Sequence, residues 1–178
     1  SYSVYEPSTI ARERMRFGDG KEWHDTEKAV RTDYFTNKTG VDSLECMHLQ
    51  ANISNMNATI KIKGKIPTGS LYVTRTEDED GRVEFTFKDT FDKPLLTRRV
   101  YTSNGRKVFL DTYYIYKDID KLCAVVPPML TEWVKSGLDE LWEDQINRYV
   151  YCYEYDAMGR CIAKKLPGCD WVQMIYDK

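Results

Sequence analysis

At 178 residues the chain is long enough for one sizeable core or two small ones, and a net charge of -2, with Lys and Arg spread along its length, gives no basic footprint for nucleic acid. No apolar run approaches the roughly 20 residues that a membrane span needs, and no apolar segment precedes a cleavage site, so insertion of this segment into a membrane is not expected. Thirteen tyrosines dominate an aromatic content of 13%, which suits half-buried sheet faces, and five cysteines without CxxC spacing indicate neither a zinc site nor a full disulfide framework.

In chain order, Ser8 is placed to cap a short helix over Thr9–Met15, ended by Gly18-Asp19-Gly20. Glu27–Phe35 and Ser43–Gln50 alternate as strands, separated by the turn chemistry of Asn37-Lys38-Thr39-Gly40. Asn57–Lys65 alternates apolar and basic residues as an exposed antiparallel strand does, and Pro67-Thr68-Gly69 ends it. Leu71–Thr76 and Arg82–Lys88 form a hairpin across Asp78-Glu79-Asp80-Gly81, where Asp-Gly is the signal. Two further reversals, Asp89-Thr90-Phe91-Asp92-Lys93 and Lys117-Asp118-Ile119-Asp120-Lys121, flank a tight turn at Ser103-Asn104-Gly105-Arg106 on the opposite edge. The strands from Leu71 to Val126 therefore read as a meander.

After Pro127-Pro128, residues Leu130, Trp133, Val134, Leu138, Leu141, Trp142 and Ile146 recur at helical spacing. This predicts a helical insertion near 130–147, divided at Gly137, with Ser136 capping its second piece and both tryptophans buried against the sheet. Tyr149, Tyr151, Tyr153 and Tyr155 then fall on one face of a strand, because strand side chains alternate sides. Asp156-Ala157-Met158-Gly159-Arg160 reverses the chain as a type I turn closed by a left-handed residue, for which Gly159 is suited. Cys161–Leu166 is the return strand, with Tyr155 opposite Cys161 and Cys152 opposite about Lys164. Aligned on this turn, Asp92 and Asp120 stand where Gly159 stands, a tolerable substitution in the left-handed region.

The Tyr155-Asp156 pair, two residues, Gly159-Arg160 and an apolar return strand resemble the YD repeat of bacterial Rhs-type proteins. The segments 4–8 (VYEPS), 29–37 (AVRTDYFTN) and 69–81 (GSLYVTRTEDEDG) resemble the region preceding the repeats in one bacterial branch of that family. The resemblance implies a mainly β fold of consecutive antiparallel hairpins, with residues 1–66 as a β-rich region before the repeats and 67–178 as YD-type hairpins, in one continuous domain or two. It implies a structural role without catalysis: a wall segment of a shell on a secreted or cell-surface protein. Its partners would be other YD repeats of the same full-length chain and an enclosed or C-terminal cargo domain. The start at Ser1-Tyr2-Ser3 and the stop at Tyr176-Asp177-Lys178, where a further such strand would turn, suit a piece of a longer chain. Asp156, Gly159, Arg160, Asp92 and Asp120 would be the structural turn residues.

Other chemistry is weakly supported. Glu77-Asp78-Glu79-Asp80 starts like a calcium loop, yet no acidic residue follows at the distance that closes one, so a solvated hairpin tip is the expectation and no metal or cofactor is assigned. A Cys/His nucleophile would draw on His24 or His48, neither of which sits in a nucleophile motif. Tyr149, Tyr151, Tyr153 and Tyr155 with Trp171 form the one candidate binding surface. As a stacked aromatic face they would take glycan rings or a surface partner; as same-face and cross-strand neighbours they would stabilise the hairpins, which need an apolar face, and this packing reading is preferred.

Overall fold

A computed structural model describes residues 2–7, 9–17, 29–118 and 120–176. Thirteen strands account for most of it: β1 (Tyr2–Tyr5), β2 (Glu13–Phe17), β3 (Ala29–Thr36), β4 (Met47–Ser54), β5 (Asn57–Lys65), β6 (Tyr72–Glu77), β7 (Val83–Lys88), β8 (Pro94–Ser103), β9 (Arg106–Tyr116), β10 (Leu122–Val126), β11 (Tyr151–Tyr155), β12 (Cys161–Lys165) and β13 (Trp171–Gln173). Eleven of them form one antiparallel sheet in the order β1-β2-β3-β6-β7-β8-β9-β10-β11-β12-β13, while β4 and β5 pair apart as a hairpin. The fold is mainly β and built from consecutive antiparallel hairpins, as the alternation predicts. β3 pairs with β6 along Arg31–Thr36, so strands on both sides of residue 66 share the sheet.

The β4–β5 hairpin lies against β9, β10 and β11 and makes the second layer. Its alternation is strict: Ala58, Ile60 and Ile62 are buried while Asn57, Thr59, Lys61 and Lys63 face solvent. Between the layers Ile60, Val73, Phe87, Leu96, Val126, Val134 and Cys152 are fully enclosed. The chain leaves and re-enters the sheet at one buried side chain, Asn37. Its Nδ2 donates to the carbonyls of Ile66 (3.1 Å) and Pro67 (2.8 Å), and its Oδ1 accepts the Leu71 N–H (2.9 Å). On the uncovered face, paired threonines 74, 86, 97 and 112 run in a row across β6 to β9.

Several elements depart from the sequence expectation. Thr9–Met15 is not a helix: Glu13–Phe17 is β2, hydrogen-bonded between β1 and β3, since Glu13, Met15 and Phe17 alternate with exposed Arg14 and Arg16 and so short a helix gains too little to compete. Ser8 and residues 18–20 of that expectation lie outside the described residues. The second strand runs Met47–Ser54 rather than Ser43–Gln50, because 38–45 folds as a loop. There Glu45 accepts the Gly40 N–H at 2.9 Å and pairs with Lys65 at 2.8 Å.

The helical insertion is present but interrupted. A 3-10 turn at Pro128–Leu130 leads into α1 (Thr131–Lys135), and α2 (Glu143–Tyr149) follows after an extended stretch. Gly137, at φ +86°, divides the two. Ser136 does not cap the second helix; its hydroxyl donates to the Trp133 carbonyl at 2.8 Å, at the end of α1. The intervening residues go to the edge of β5 instead, where the Ile62 N–H donates to Asp139 O (2.7 Å) and the Leu141 N–H to Ile60 O (2.9 Å). Unpaired backbone groups on that edge outweigh the helical periodicity of 138–141. Leu130, Val134, Leu141 and Ile146 provide the buried stripe, whereas Trp133 and Trp142 are 42% and 57% exposed and lie 5.6 Å apart, ring to ring, on the outside.

Candidate functional site

Reversals at Asp89–Lys93, Lys117–Lys121 and Asp156–Arg160 join β7 to β8, β9 to β10 and β11 to β12, so antiparallel order puts all three at one end of the sheet. In the third, the Asp156 N–H donates to Arg160 O and the Gly159 N–H to Asp156 O, both at 3.0 Å. The carboxylate of Asp156 then fastens the loop from inside: Oδ1 accepts the N–H groups of Met158 (2.9 Å) and Arg160 (2.8 Å), and Oδ2 accepts the Arg160 guanidinium (2.8 Å). The Arg160 backbone N–H, then its side chain, hold the Asp156 carboxyl below its ordinary value. Asp89 does the same for Phe91 (2.8 Å) and Lys93 (3.0 Å), with Asp92 at φ 63° where Gly159 has φ 77°. The reversal holding Asp120 shares the closing bond, Lys117 N–H to Lys121 O at 2.9 Å, but begins with Lys where the other two begin with Asp; Ile119 lies outside the described residues.

A fourth copy escaped the sequence alignment. Asp78-Glu79-Asp80-Gly81-Arg82 has the same Asp-x-x-Gly-Arg order as Asp156–Arg160, and the same geometry. Asp78 Oδ1 accepts the N–H groups of Asp80 (3.0 Å) and Arg82 (2.8 Å), and Gly81 sits at φ 77°. The same residues make up the acidic run that starts like a calcium loop. Arg82 lies 3.8 Å from Asp78 and 3.5 Å from Asp80, and among the described residues no group of three or more His, Cys, Asp or Glu is arranged to hold a metal.

The five aromatic candidates do not form one surface. Tyr149 ends α2 rather than beginning the strand. Tyr151 pairs with Val125, which pairs with Tyr114, and Tyr153 pairs with Lys164, which pairs with Val172; these make the uncovered face. Tyr155 follows a bulge, stands opposite Cys161 as expected, and donates its hydroxyl to Leu122 O at 2.9 Å. The same bulge puts Cys152 opposite Lys165 rather than Lys164. Trp171 also pairs with Lys165, so it belongs to the covered face with Cys152, across the sheet from Tyr151 and Tyr153.

Two features that sequence reasoning passed over bind the layers together. At the tip of the β4–β5 hairpin, Asn55 (φ 52°) and Met56 (φ 57°) turn both backbone N–H groups outward, and the two carboxylate oxygens of Glu154 accept them at 2.9 Å each. Beneath the sheet, Arg98 and Asp111 are fully buried and joined by two bonds of 2.7 Å. Arg98 also donates to Asp42 O (2.6 Å) and lies over the rings of Phe87 and Phe109, while Lys135 reaches Asp111 at 3.0 Å. Burial works against the charge on Asp111, but the hydrogen bonds of Arg98 outweigh it and hold the carboxyl below its ordinary value. Parity was the available signal, since Arg98 shares a face with Leu96, and Asp111 with Tyr113 and Ile115.

All five cysteines are free, and burial pushes the thiols of Cys46 and Cys152 up to about 12 and that of Cys123 to about 11, so they stay protonated. His48 is exposed on β4, and His24 lies outside the described residues. No helix among the described residues is long and apolar enough to cross a membrane. The architecture is that of an antiparallel β meander fastened by repeated Asp-initiated turns and capped by one hairpin. No family model, curated protein or solved structure matches the chain.

Proposed function

We propose that this chain is a wall segment of an Rhs/YD-type shell on an exported or cell-surface protein, enclosing or displaying another domain, with no catalysis of its own. The observation that carries the reading is the recurrence of one carboxylate-fastened turn at Asp78, Asp89 and Asp156 along a single continuous sheet. A repeated, locally closed hairpin lets a sheet grow by addition of like units. Among the described residues the outer edges of β1 and β13 have no partner strand, and further hairpins of the full-length chain are the occupants this reading assigns to them. Electron cryo-microscopy of the full-length gene product is the test. The sheet is expected to continue past Trp171–Gln173 into more hairpins that curve around a second domain. A sheet ending at β13 with nothing enclosed overturns the proposal.

A further inference from the structure

The helical insertion buries Leu130, Val134, Leu141 and Ile146 and leaves both of its tryptophans on the outside. Trp133 on α1 and Trp142 at the start of α2 stand with ring centroids 5.6 Å apart and planes at 54°, open to solvent. Met129, on the 3-10 turn that contacts both helices, adds apolar surface and is 69% exposed. Large side chains grouped in the open mark a surface that another molecule covers, and tryptophan is foremost among the residues that anchor such contacts. Charge narrows the choice of molecule. The insertion holds Glu132, Asp139, Glu140, Glu143 and Asp144 against Lys135 and Arg148 alone. Both of these cations are engaged, Lys135 on buried Asp111 at 3.0 Å and Arg148 on Asp144 at 2.8 Å. Lys61 stands opposite Glu140 across an isolated bridge. Glu132, Asp139 and Glu143 are left, exposed and without an ion-pair partner among the described residues. Glu132 adjoins Trp133 in the chain, and Glu143 adjoins Trp142. Other rings of the fold carry its own cations, Lys93 over Phe91 and Tyr116 at 5.5 and 5.0 Å and Arg160 over Tyr176 at 5.2 Å. Among the described residues no Lys or Arg lies over Trp133 or Trp142 in this way.

We propose that this patch docks an arginine-bearing basic segment of a partner protein, with a guanidinium laid on the tryptophan pair and further basic groups meeting Glu132 and Glu143. Tryptophan attracts a cation to its face more strongly than the other aromatic rings do. A guanidinium suits the place better than an ammonium, because it is planar and weakly hydrated and can lie on a ring while its edge donates to a carboxylate. An acidic segment or a nucleic acid would meet the same carboxylates with like charge, and a purely apolar segment would leave them without a counter-charge. The two rings are open to solvent, so whatever lies on them needs flanking contacts to stay. A peptide supplies those contacts, and a small ammonium ion does not. The inference stands apart from the wall reading, because the patch belongs to the insertion and not to the repeated turns.

The test is a titration of the folded chain followed through the indole N–H resonances of Trp133 and Trp142. The probes are an end-blocked peptide of alternating arginine and glycine, the same peptide with citrulline in place of arginine, the same with glutamate, and tetramethylammonium chloride. The arginine peptide is expected to shift both indole signals saturably at millimolar concentration, and the citrulline peptide to bind at least about tenfold more weakly. Trp142→Ala should remove the binding. The double change Glu132→Gln with Glu143→Gln, at exposed positions, should weaken it about fivefold without changing the melting temperature, which keeps the test decisive if Trp142→Ala folds poorly. Asp80→Asn, on the β6–β7 turn, should leave it unchanged. No shift with the arginine peptide, equal binding of the citrulline or glutamate peptide, shifts with tetramethylammonium alone, or a loss in Asp80→Asn equal to that of the double variant each overturn the proposal.

Discussion

Gly159 sits at φ +77°, and a Cβ placed there would come within 2.9 Å of the Lys121 side chain in the neighbouring reversal. Gly159→Val therefore meets both backbone strain and a neighbour that must move, and should cost roughly 1–3 kcal/mol. Gly159→Asn should cost clearly less, because Asp92 already occupies the equivalent place at φ 63°. Urea midpoints compared at matched slopes measure the difference, and equal midpoints at the wild-type value would remove the strain from the account. Met56 presents the opposite case, a side chain already held at φ 57° in a hairpin turn whose second position favours glycine. Met56→Gly should raise stability by about 1 kcal/mol, seen as a higher melting temperature; a lower one would mean that the Met56 side chain contributes more than its backbone costs.

At the scale of elements, alternation made the strands legible from Asn57 to Lys88 and from Cys161 to Lys165 within a residue or so, because each has one face buried and one in water. The helical insertion was legible in place but not in form. Leu138 and Leu141 keep helical spacing, yet the backbone of Asp139 and Leu141 goes to the open edge of β5, and periodicity carries no information about such a vacancy. Tyr149 was lost to the tyrosine ladder for a related reason: alternation continues through YVYCYEY without a break, while α2 runs into it from upstream. The candidate surface suffered most. Tyr151 and Tyr153 share a face, but the side on which Trp171 lies is decided by pairing across β12, and register is not written in either strand alone.

For the molecule as a whole, the buried Arg98–Asp111 pair joins the sheet to the 38–45 loop through Asp42 and to α1 through Lys135. Asp111→Asn leaves a buried guanidinium without its counter-charge and should cost about 3–5 kcal/mol, whereas the double change Arg98→Met with Asp111→Leu should recover most of that. Denaturant unfolding of the single and double variants separates the two outcomes, and a double variant no better than the single would assign the loss to packing. Alkaline stability follows from the thiols. Their ordinary value is 9.0, and burial holds Cys46 and Cys152 up to about 12 and Cys123 to about 11. Below pH 9.0 both states keep these protons and stability is flat with respect to them. Above it the unfolded chain releases them and the folded chain does not, so stability falls by up to about 1.4 kcal/mol per pH unit per thiol until the folded values are reached. Cys152→Ala should flatten the decline above pH 9.0 in chemical denaturation, and an unchanged slope would count against the assignment.

The contact of Glu154 with the Asn55 and Met56 N–H groups spans 99 and 98 residues of chain. A ribosome releasing this protein exposes the β4–β5 hairpin long before the residue that latches its tip, so the second layer has to wait, unlatched, for the third Asp-turn hairpin to be made. A contact across so long a loop is expected to form late, after the folding transition state. Glu154→Gln should accordingly leave the refolding rate nearly unchanged and quicken unfolding, and stopped-flow chevrons would show it in the unfolding limb alone. The hairpin that carries the third Asp-initiated turn would then also act as the clasp that keeps the cap closed.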